Sequence, residues 1–315
     1  MNNFSARNMK IIFIGGVKVS YEILERILEE NWDVKLIFSY ENDKKKNFSD
    51  FKDLTELADK YNIPNVQVKN INDTTNIEMI KKIKPDLILV MGWSQILKKE
   101  IIEIPKLGVV GSHPTELPKY RGRAPIPWTI LKNLKTTALT FFYINEGIDT
   151  GDIVLQKKLC VEDNENATSL YSKICKLGKE MISEFLIKLE KNEIKIIKQS
   201  ENDFIEYWEK RQFEHGKINW KLSSIEIDRL IRATTHPYPG AYTIFKKRII
   251  KIWKSEISHL RVLPETIKII DDDVYIGTND GSIKLISISF DNDIPVRPKK
   301  IFGIKDNNNK LDEFS

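Results

Sequence analysis

The run KIIFIGG, residues 10–16, decides the fold class of this chain. Four consecutive apolar residues that end in two glycines are typical of a buried parallel strand. Residues 20–30 then repeat apolar side chains at helical spacing, and residues 34–40 form a second strand-like run. A strand, a helix and a second strand in this order predict a doubly wound α/β domain.

The glycines of this first turn do not complete a dinucleotide-binding fingerprint. The pattern G-x-G-x-x-G requires a third glycine at the position where this chain has Ser20. That glycine allows the close packing of helix against strand beside a bound pyrophosphate. We therefore do not expect an NAD site in this domain.

Similar patterns continue the domain to about residue 200. Residues 87–91 (LILVM) form another buried strand, and a loop led by Gly92 follows at its carboxyl end. Open α/β sheets bind their ligands at this edge. The further helices are predicted at residues 53–61, 75–84, 126–133 and 168–191, and the further strands near residue 66 and at 138–144 and 153–159.

Beyond a break in the apolar pattern near residues 199–203, the chain changes character. A short helix at 225–233 precedes several short strands, and this arrangement indicates a smaller β-rich, barrel-like domain. The strands are predicted at residues 242–245, 249–253, 266–270, 274–277 and 282–290. We therefore expect one domain at 9–200, a second at 201–304 and a polar tail at 305–315.

The composition is that of an ordinary globular protein. Of the 315 residues, 50 are Lys or Arg and 45 are Asp or Glu, and the lysines are scattered along the chain. A nucleic-acid binder usually shows a clustered basic stripe. The charge balance permits an anionic small substrate, and we expect no nucleic-acid partner. The three successive lysines within residues 43–50 are interpreted as part of a solvated surface loop.

The sequence predicts a cytoplasmic protein without a membrane-spanning helix. No run of 18 apolar residues occurs, although a transmembrane helix needs about that many. The first ten residues lack the apolar core of a signal peptide. Cys160 and Cys175 have no metal-type spacing, and reduced thiols in a cytoplasmic protein explain them most simply. No metal site is expected.

A segment with unusual local chemistry follows the next apolar run: GVVGSHPTELPKYRGRAPIPW, residues 108–128. Its four prolines each remove a backbone donor and restrict the residue before them, so we expect a rigid loop rather than a helix. His113 lies at the base of this loop, and a basic cluster with Lys119, Arg121 and Arg123 lies further out. Loops held by a scaffold commonly carry binding and catalytic groups.

Asp149 offers a carboxylate partner for His113, because it follows another predicted strand in a polar loop with two glycines. Two strand ends of one sheet can face the same crevice. A carboxylate beside an imidazole fixes its tautomer and makes it a better acid or base. A histidine next to proline is more often structural, and the residues alone leave both interpretations open.

A resemblance to a known family favours the functional interpretation. Residues 113–125 (HPTELPKYRGRAP) resemble the H-x-S-x-L-P-x-x-R-G-x-x-P signature of formyltransferases that use N10-formyltetrahydrofolate. Residues 146–152 (EGIDTGD) are similar to the second motif of that family, G-[LIV]-D-[TS]-G-D, and the two motifs are correctly spaced, with 149 − 113 = 36 positions. The resemblance extends from about residue 10 to the PYPGA element near residue 240.

The resemblance implies a Rossmann-like core that transfers a formyl group from the folate to a primary amine. In the family, an asparagine, a histidine and an aspartate form the catalytic set, and the last two carry over onto His113 and Asp149. The asparagine does not, because Gly111 occupies its position. Three interpretations remain: Ser112 or a backbone N–H replaces the asparagine as an oxyanion donor, protonated His113 acts alone, or the protein binds folate without catalysis.

The family also implies positions for the two substrates. Family members hold the pteridine of the folate along the loop after the fourth strand and beside the second motif. On this chain these positions are Met91, Gly92, Trp93, Ile96, Leu97, Ile148 and Asp152. The residues assigned to the amine substrate are Thr115, Lys119, Tyr120 and Arg123. Lys119, Arg121 and Arg123 are candidates for contact with a diphosphate, because arginine forks suit phosphate oxygens. The alternatives are a core role for Trp93, a structural cap for Asp152, and bonds to carbonyls within the loop for the basic residues, which is the interpretation favoured for Arg121.

Members of the family differ in the amine that they formylate. The segment LPKYRGRAP, residues 117–125, looks like the nucleotide-linked sugar N-formyltransferases, whose sugars feed lipopolysaccharide O-antigens and related glycans. We therefore expect a nucleotide-linked amino sugar, with a homodimer left open. Methionyl-tRNA formyltransferase is the alternative, because it has a similar length and a β-rich C-terminal domain.

Overall fold

The computed structural model describes residues 7–41, 49–200, 205–290 and 293–302. The chain forms two compact units, one comprising residues 1–125, 136–160 and 171–209, the other residues 126–135, 161–170 and 210–315. Most of the predicted lysine-rich loop at 43–50 and the predicted tail at 305–315 lie outside the described residues. The finer boundary predicted at residue 200 stays a prediction.

The first unit is organised around a sheet of seven strands. The strands that precede residue 210 are β1 (Arg7–Ile14), β2 (Trp32–Tyr40), β3 (Asn65–Val68), β4 (Leu87–Val90), β5 (Val109–His113), β6 (Tyr120–Gly122), β7 (Thr136–Tyr143), β8 (Ile153–Cys160) and β9 (Glu206–Trp208). The order in the large sheet is β3-β2-β1-β4-β5-β7-β8, while β6 and β9 form a separate parallel pair.

The parallel half of this sheet confirms the predicted doubly wound core. Helices connect its strands, and the helices before residue 200 are α1 (Lys18–Glu29), α2 (Thr55–Lys60), α3 (Thr74–Ile83), α4 (Lys99–Ile102), α5 (Pro125–Leu131) and α6 (Ala167–Glu190). The chain adds β2 and β3 on one side of β1, then returns to add β4 and β5 on the other side. This reversal creates a crevice at the carboxyl ends of β1 and β4, where ligands of such sheets bind.

Of the last two strands of the sheet, β7 runs opposite to β1–β5, and β8 runs in the same direction as them. β7 pairs antiparallel with β5, with Val110 opposite Tyr143 and His113 opposite Thr140. β8 then pairs antiparallel with β7. The carboxyl end of β7 therefore lies beside the start of β5, so the expectation that His113 and Asp149 follow strand ends at one edge is wrong.

The proline-rich segment contains more regular structure than expected. Tyr120–Gly122 form β6, and α5 begins at Pro125 and also contains Pro127. The prediction of a continuous loop is therefore wrong for the end of this segment. Proline is tolerated in the first turn of a helix, because the N–H groups there have no partner within the helix.

The start of α1 shows why the chain needs no third glycine there. The hydroxyl of Ser20 accepts hydrogen bonds from the backbone N–H groups of Gly16 (3.1 Å) and Val17 (3.2 Å). It donates to the carbonyl of Met91 at 2.6 Å. Ser20 thus satisfies the helix N-terminus internally and connects β1 to the end of β4. The N–H groups of Gly16 and Val17 are therefore already used by this hydroxyl.

The second unit contains the predicted β-rich domain. Its described elements after residue 210 are a 3-10 turn (Phe213–Gly216), α7 (Ser224–Thr234), β10 (Ala241–Phe245), β11 (Arg248–Ser258), β12 (Ile267–Ile270), β13 (Asp273–Gly277), β14 (Ser282–Ser289), β15 (Pro295–Val296) and α8 (Pro298–Phe302). The strands form an antiparallel sheet in the order β10-β11-β14-β13-β12, with β15 beside β14. Apolar side chains of α7, α8 and one face of this sheet form its core. No described helix is long and apolar enough to cross a membrane.

Ser20 gives a direct test of the link between β1, α1 and β4. We expect Ser20→Ala to lower the free energy of unfolding by about 1–3 kcal/mol, because it leaves buried backbone groups without partners. Thermal or denaturant unfolding measures this loss. Ser172→Ala is the matched control, since Ser172 is exposed on α6 and its replacement should change stability by less than about 0.5 kcal/mol. Equal stability of the two variants would contradict the assigned role.

Candidate active site

His113 ends β5 and is 6% exposed, so its imidazole is held within the protein. Its Nε2 atom lies 2.9 Å from the backbone oxygen of Tyr120. A carbonyl oxygen only accepts hydrogen bonds, so Nε2 must carry the proton. In the neutral ring, the lone pair is then on Nδ1. The fold therefore assigns Nδ1 as the nitrogen that can take up a proton.

Asp149 lies opposite that nitrogen. The distance from His113 Nδ1 to Asp149 Oδ2 is 3.7 Å, which is longer than a hydrogen bond but within the range of an ion pair. The same carboxylate oxygen accepts a hydrogen bond from the backbone N–H of Gly122 at 2.9 Å. If Nδ1 gains a proton, Asp149 stabilises the resulting cation. The structure thus brings the two predicted catalytic side chains together.

Asp149 reaches His113 because the loop of residues 145–152 folds back from the far end of β7. Asn145 shapes this loop, since its Oδ1 accepts from the Gly147 N–H (3.0 Å) and from the Thr150 hydroxyl (2.7 Å). Asp149 has a positive φ of 54°, a conformation that aspartate tolerates better than most residues. The glycine at 151 is required by space, because a Cβ there would lie 1.7 Å from the carbonyl oxygen of Tyr143.

Thr115 supports the histidine loop, residues 113–124, from inside the protein. It is fully buried, and its hydroxyl donates to the Tyr120 carbonyl at 2.6 Å. Its own carbonyl accepts from the hydroxyl of Thr140 at 2.7 Å. Because no part of Thr115 is exposed, the prediction that it contacts the amine substrate is not supported. Tyr120 is half-buried and stacks on Trp208 with the ring centres 4.6 Å apart.

The basic residues of the loop have different environments. Arg121 is 6% exposed and donates to the side chains of Gln199 and Tyr207. The sequence predicts that Arg121 bonds to carbonyls within its own loop, but its partners are two side chains that lie outside this loop. Lys119 and Arg123 are exposed. Arg123 donates to the backbone oxygen of Ser94 at 3.1 Å and so connects the histidine loop to the Gly92 loop.

Lys119 shares a carboxylate with a second lysine. Its Nζ lies 3.3 Å from one oxygen of Glu116, and Lys158 Nζ lies 2.6 Å from the other. Burial alone would raise the pKa of Glu116, but the two ammonium groups outweigh it and lower that pKa. Lys119 therefore lies next to a negative charge, which weakens it as a partner for a phosphate.

Gly111 lies on β5 two residues before His113, and side chains two apart on a strand point to the same face. A Cβ on Gly111 would lie 3.0 Å from Ile144 Cδ1 and 3.1 Å from its Cγ1. Ile144 thus occupies the space that a side chain at position 111 would need. Ser112 lies between the two positions, so the alternation of the strand directs its side chain to the other face. The geometry does not support Ser112 as part of the catalytic set.

The Gly92 loop is held by aromatic packing and backbone constraints. Gly92 has a positive φ of 62°, and a Cβ there would lie 2.4 Å from Val17 Cγ2. Trp93 stacks on Tyr40, with ring centres 3.8 Å apart and planes inclined by 6°. The Tyr40 hydroxyl accepts from the backbone N–H of Ser94 at 2.8 Å. Burial raises the pKa of Tyr40, so this hydroxyl remains protonated at neutral pH.

The remaining residues assigned to the folate differ in their exposure. Met91 and Leu97 are buried, and the Met91 carbonyl is used by Ser20. Ile96 and Ile148 are 68% and 53% exposed, which is unusual for isoleucine. Asp152 is half-buried, and its carbonyl accepts from the Tyr143 N–H at 2.8 Å. The exposed isoleucines are available to a ligand, whereas the buried pair supports the loop.

Metal ligands and thiols are two further kinds of reactive group among the described residues. No group of three His, Cys, Asp or Glu side chains has a metal-binding arrangement there. Cys160 is exposed and Cys175 is buried, and both are free thiols. Burial raises the pKa of Cys175 to about 12, so it is not a thiolate at neutral pH.

Sequence reasoning missed three residues that support the site. Gln199 was placed near a domain boundary, but its side chain contacts the Asp149 loop. Tyr40 is the last residue of a predicted strand, and Trp208 lies in a segment for which no helix or strand is predicted; their aromatic contacts are not signalled by either. Each acts through a partner distant in sequence, and neither periodicity nor motif spacing signals such a contact.

Comparisons with known proteins identify the family to which each part of the chain is similar. Residues 9–186 match the Formyl transferase family, and residues 211–305 match the Formyl transferase, C-terminal domain family. The methionyl-tRNA formyltransferase of Alkaliphilus oremlandii is 34% identical over 308 residues, which cover 95% of each chain.

Two solved structures share the fold. One is WlaRD, a sugar 3N-formyl transferase determined with dTDP and 5-N-formyl-THF, at 24% identity and a TM-score of 0.67, covering 91% of this chain and 99% of that one. The other is an N-formyltransferase from Helicobacter canadensis in complex with folinic acid and dTDP-3-aminofucose, at 24% identity and a TM-score of 0.67, covering 88% and 98%. With a family match across more than half its length and a 34% identical relative along 95% of it, the chain belongs to the formyl transferase family.

Proposed function

We propose that this chain transfers a formyl group from N10-formyltetrahydrofolate to the amine of a nucleotide-linked amino sugar. The observation that carries the transfer is the 3.7 Å approach of His113 Nδ1 to the Asp149 carboxylate. The pair is held on both sides by backbone groups of the proline-rich loop. Such a pair is suited to accept a proton from an attacking amine.

The residues of the chain define how the proton is handled. His113 takes the amine proton on Nδ1, because Nε2 is occupied by its hydrogen bond to Tyr120. Asp149 stabilises the imidazolium and keeps the ring in place. His113 can then return this proton to the nitrogen that leaves. Formylfolate supplies the electrophilic carbon and the leaving nitrogen of this exchange.

The Gly92 loop fits a folate in its chemistry. An aromatic, partly apolar ligand is suited to the exposed side chains of Ile96 and Ile148. Trp93 Nε1 is a buried donor with no hydrogen-bond partner among the described atoms, and buried donors of this kind are usually satisfied. A bound pteridine or its carbonyl could provide that acceptor. We therefore assign this loop to the folate.

The basic side chains near the site differ in how available they are to an anionic acceptor. Lys119 shares the Glu116 carboxylate with Lys158, and Arg121 is buried. Arg123 remains exposed, with a carbonyl rather than a carboxylate as its hydrogen-bond partner. A guanidinium in this position suits the oxygens of a diphosphate. Both solved structures described above were determined with dTDP or a dTDP-linked sugar.

Initiator methionyl-tRNA is the second candidate acceptor. The 34% identity to a methionyl-tRNA formyltransferase, along 95% of both chains, favours it. The turn between β10 and β11 also places three exposed basic residues in succession, Lys246, Lys247 and Arg248. Exposed cations of this kind bind phosphates without regard to sequence. The two acceptors differ in size and charge, so one set of assays separates them.

We expect His113→Ala and Asp149→Asn each to lower kcat by at least about 100-fold, since each removes part of the proton transfer. Release of tetrahydrofolate measures turnover. His259→Ala is the control, because His259 is exposed in the second unit and should not affect the rate. Activity of either site variant close to that of the unchanged protein would remove the assignment.

The acceptor is tested with a panel of UDP-, dTDP- and GDP-linked amino sugars and formylfolate, with products detected by mass spectrometry. We expect at least one amino sugar to gain a formyl group. Methionyl-tRNA is assayed in parallel, together with a gel shift at two salt concentrations, because phosphate contacts weaken as salt rises. Formylation of methionyl-tRNA alone would establish the second candidate. Folate binding without any turnover would favour a non-catalytic protein.

Position 111 is tested with a matched pair of variants. We expect Gly111→Asn to lower the melting temperature, because the new side chain meets Ile144 at about 3 Å. Adding Ile144→Ala should restore most of the loss, since it opens that space. If Gly111→Asn is as stable as the unchanged protein, Ile144 does not occupy the space that a side chain at position 111 needs. Activity of the double variant then shows whether an amide at position 111 assists this reaction.

A further inference from the structure

We propose that Gln199 is a positioning residue that holds Asp149 in the geometry needed to act on His113. This inference rests on the proposed formyl transfer, since it concerns the same histidine–aspartate pair. Gln199 lies between α6 and β9, far from both motifs in sequence. It contacts neither His113 nor the carboxylate of Asp149, so its effect is exerted through the backbone.

The side-chain amide nitrogen of Gln199 donates two hydrogen bonds to the Asp149 loop, residues 145–152. Nε2 donates to the carbonyl of Asp149 at 2.9 Å and to the carbonyl of Gly151 at 2.6 Å. A glutamine amide has two N–H donors, and both are used here. The two carbonyls flank Thr150, so the contact fixes the backbone on both sides of the turn that projects Asp149.

Arg121 fixes the orientation of this amide. Its Nε and Nη2 atoms donate to Gln199 Oε1 at 3.2 and 2.7 Å. Because a guanidinium only donates, the oxygen of Gln199 must face it, and the nitrogen must face the loop carbonyls. The Tyr207 hydroxyl accepts from Arg121 Nη1 at 3.1 Å and keeps the guanidinium in place. The donor direction of Gln199 is therefore set by a buried cation.

The segment that carries Gln199 is itself anchored. Ile197 forms an antiparallel bridge with Ile153, with N–H to carbonyl distances of 2.8 and 2.9 Å. On the other side, β9 pairs with β6, and Trp208 stacks on Tyr120. Gln199 thus projects from a strand-like support rather than from a free connection.

Two consecutive residues of the histidine loop, Arg121 and Gly122, therefore hold Asp149 in place. Gly122 holds the carboxylate directly through its N–H. Arg121 holds the backbone indirectly through Gln199. Asp149 has a positive φ, and surrounding contacts must maintain such a conformation. Gln199 therefore takes part in building the active site.

The experiment compares Gln199→Ala and Gln199→Glu with Gln67→Ala. Glutamate keeps an oxygen that faces Arg121 but loses both donors to the loop, so it separates the two contacts of Gln199. Gln67 is a half-buried glutamine with a hydrogen bond to Thr55, and it serves as the matched control. We expect both Gln199 variants to lower kcat by about tenfold or more, since small misplacements of catalytic groups are costly. The KM for each substrate should change less than about twofold.

A double-mutant cycle distinguishes positioning from a general loss of structure. In an Asp149→Asn background, Gln199→Ala should have less than about a twofold further effect, because the group it positions is already disabled. If Gln199→Ala lowers kcat as much in the Asp149→Asn background as it does alone, the proposal is overturned. A wild-type kcat for Gln199→Glu would also overturn it.

Hydrogen exchange of the peptide spanning residues 145–152 tests the same contact without catalysis. We expect faster exchange in both Gln199 variants and no change in Gln67→Ala, and unchanged exchange in the Gln199 variants would also overturn the proposal. If the unchanged protein shows no turnover with any amine, the proposed function fails. The exchange result then still decides whether Gln199 orders the Asp149 loop.

Discussion

The backbone carbonyl of Tyr120 is the group on which the active site depends. It accepts from His113 Nε2 and from the Thr115 hydroxyl, and it lies on a strand that pairs with β9. Its first hydrogen bond determines the tautomer of His113 and leaves Nδ1 for the proton. Because the neighbouring Gly122 N–H binds Asp149, one short strand orders both members of the pair. A shift of β6 would disturb both side chains at once.

This site lacks the asparagine of the family's catalytic set, and the packing shows how the difference is accommodated. Gly111 leaves no side chain beside His113, and Ile144 fills the space. The region therefore remains apolar rather than offering an amide donor. A low dielectric strengthens the interaction between a protonated His113 and Asp149. Both N–H groups of a protonated His113 then face protein acceptors, the Tyr120 carbonyl and the Asp149 carboxylate.

Much of the first unit could be predicted because its signals are local. The buried run at residues 10–16 and the run at 87–91 each became a strand of the predicted sheet, since continuous apolar runs are buried on both faces. The direction of β7 could not be predicted in this way, because its apolar pattern is the same in a parallel or an antiparallel strand. That direction overturned the expected route by which Asp149 meets His113. β6 and β9 were missed, as strands of three residues carry too little periodicity to detect.

The sequence by itself determined the doubly wound core, the β-rich second part and the family, because apolar periodicity and two spaced motifs are properties of the chain order. Only the tertiary structure decided that Thr115 is buried, that Ser112 faces away from His113, and that Arg121 acts inside the protein. It also brought Gln199 to the Asp149 loop. These outcomes depend on which groups satisfy each other's hydrogen bonds across distant segments. Such pairing is set by packing and register, which no single stretch of sequence contains.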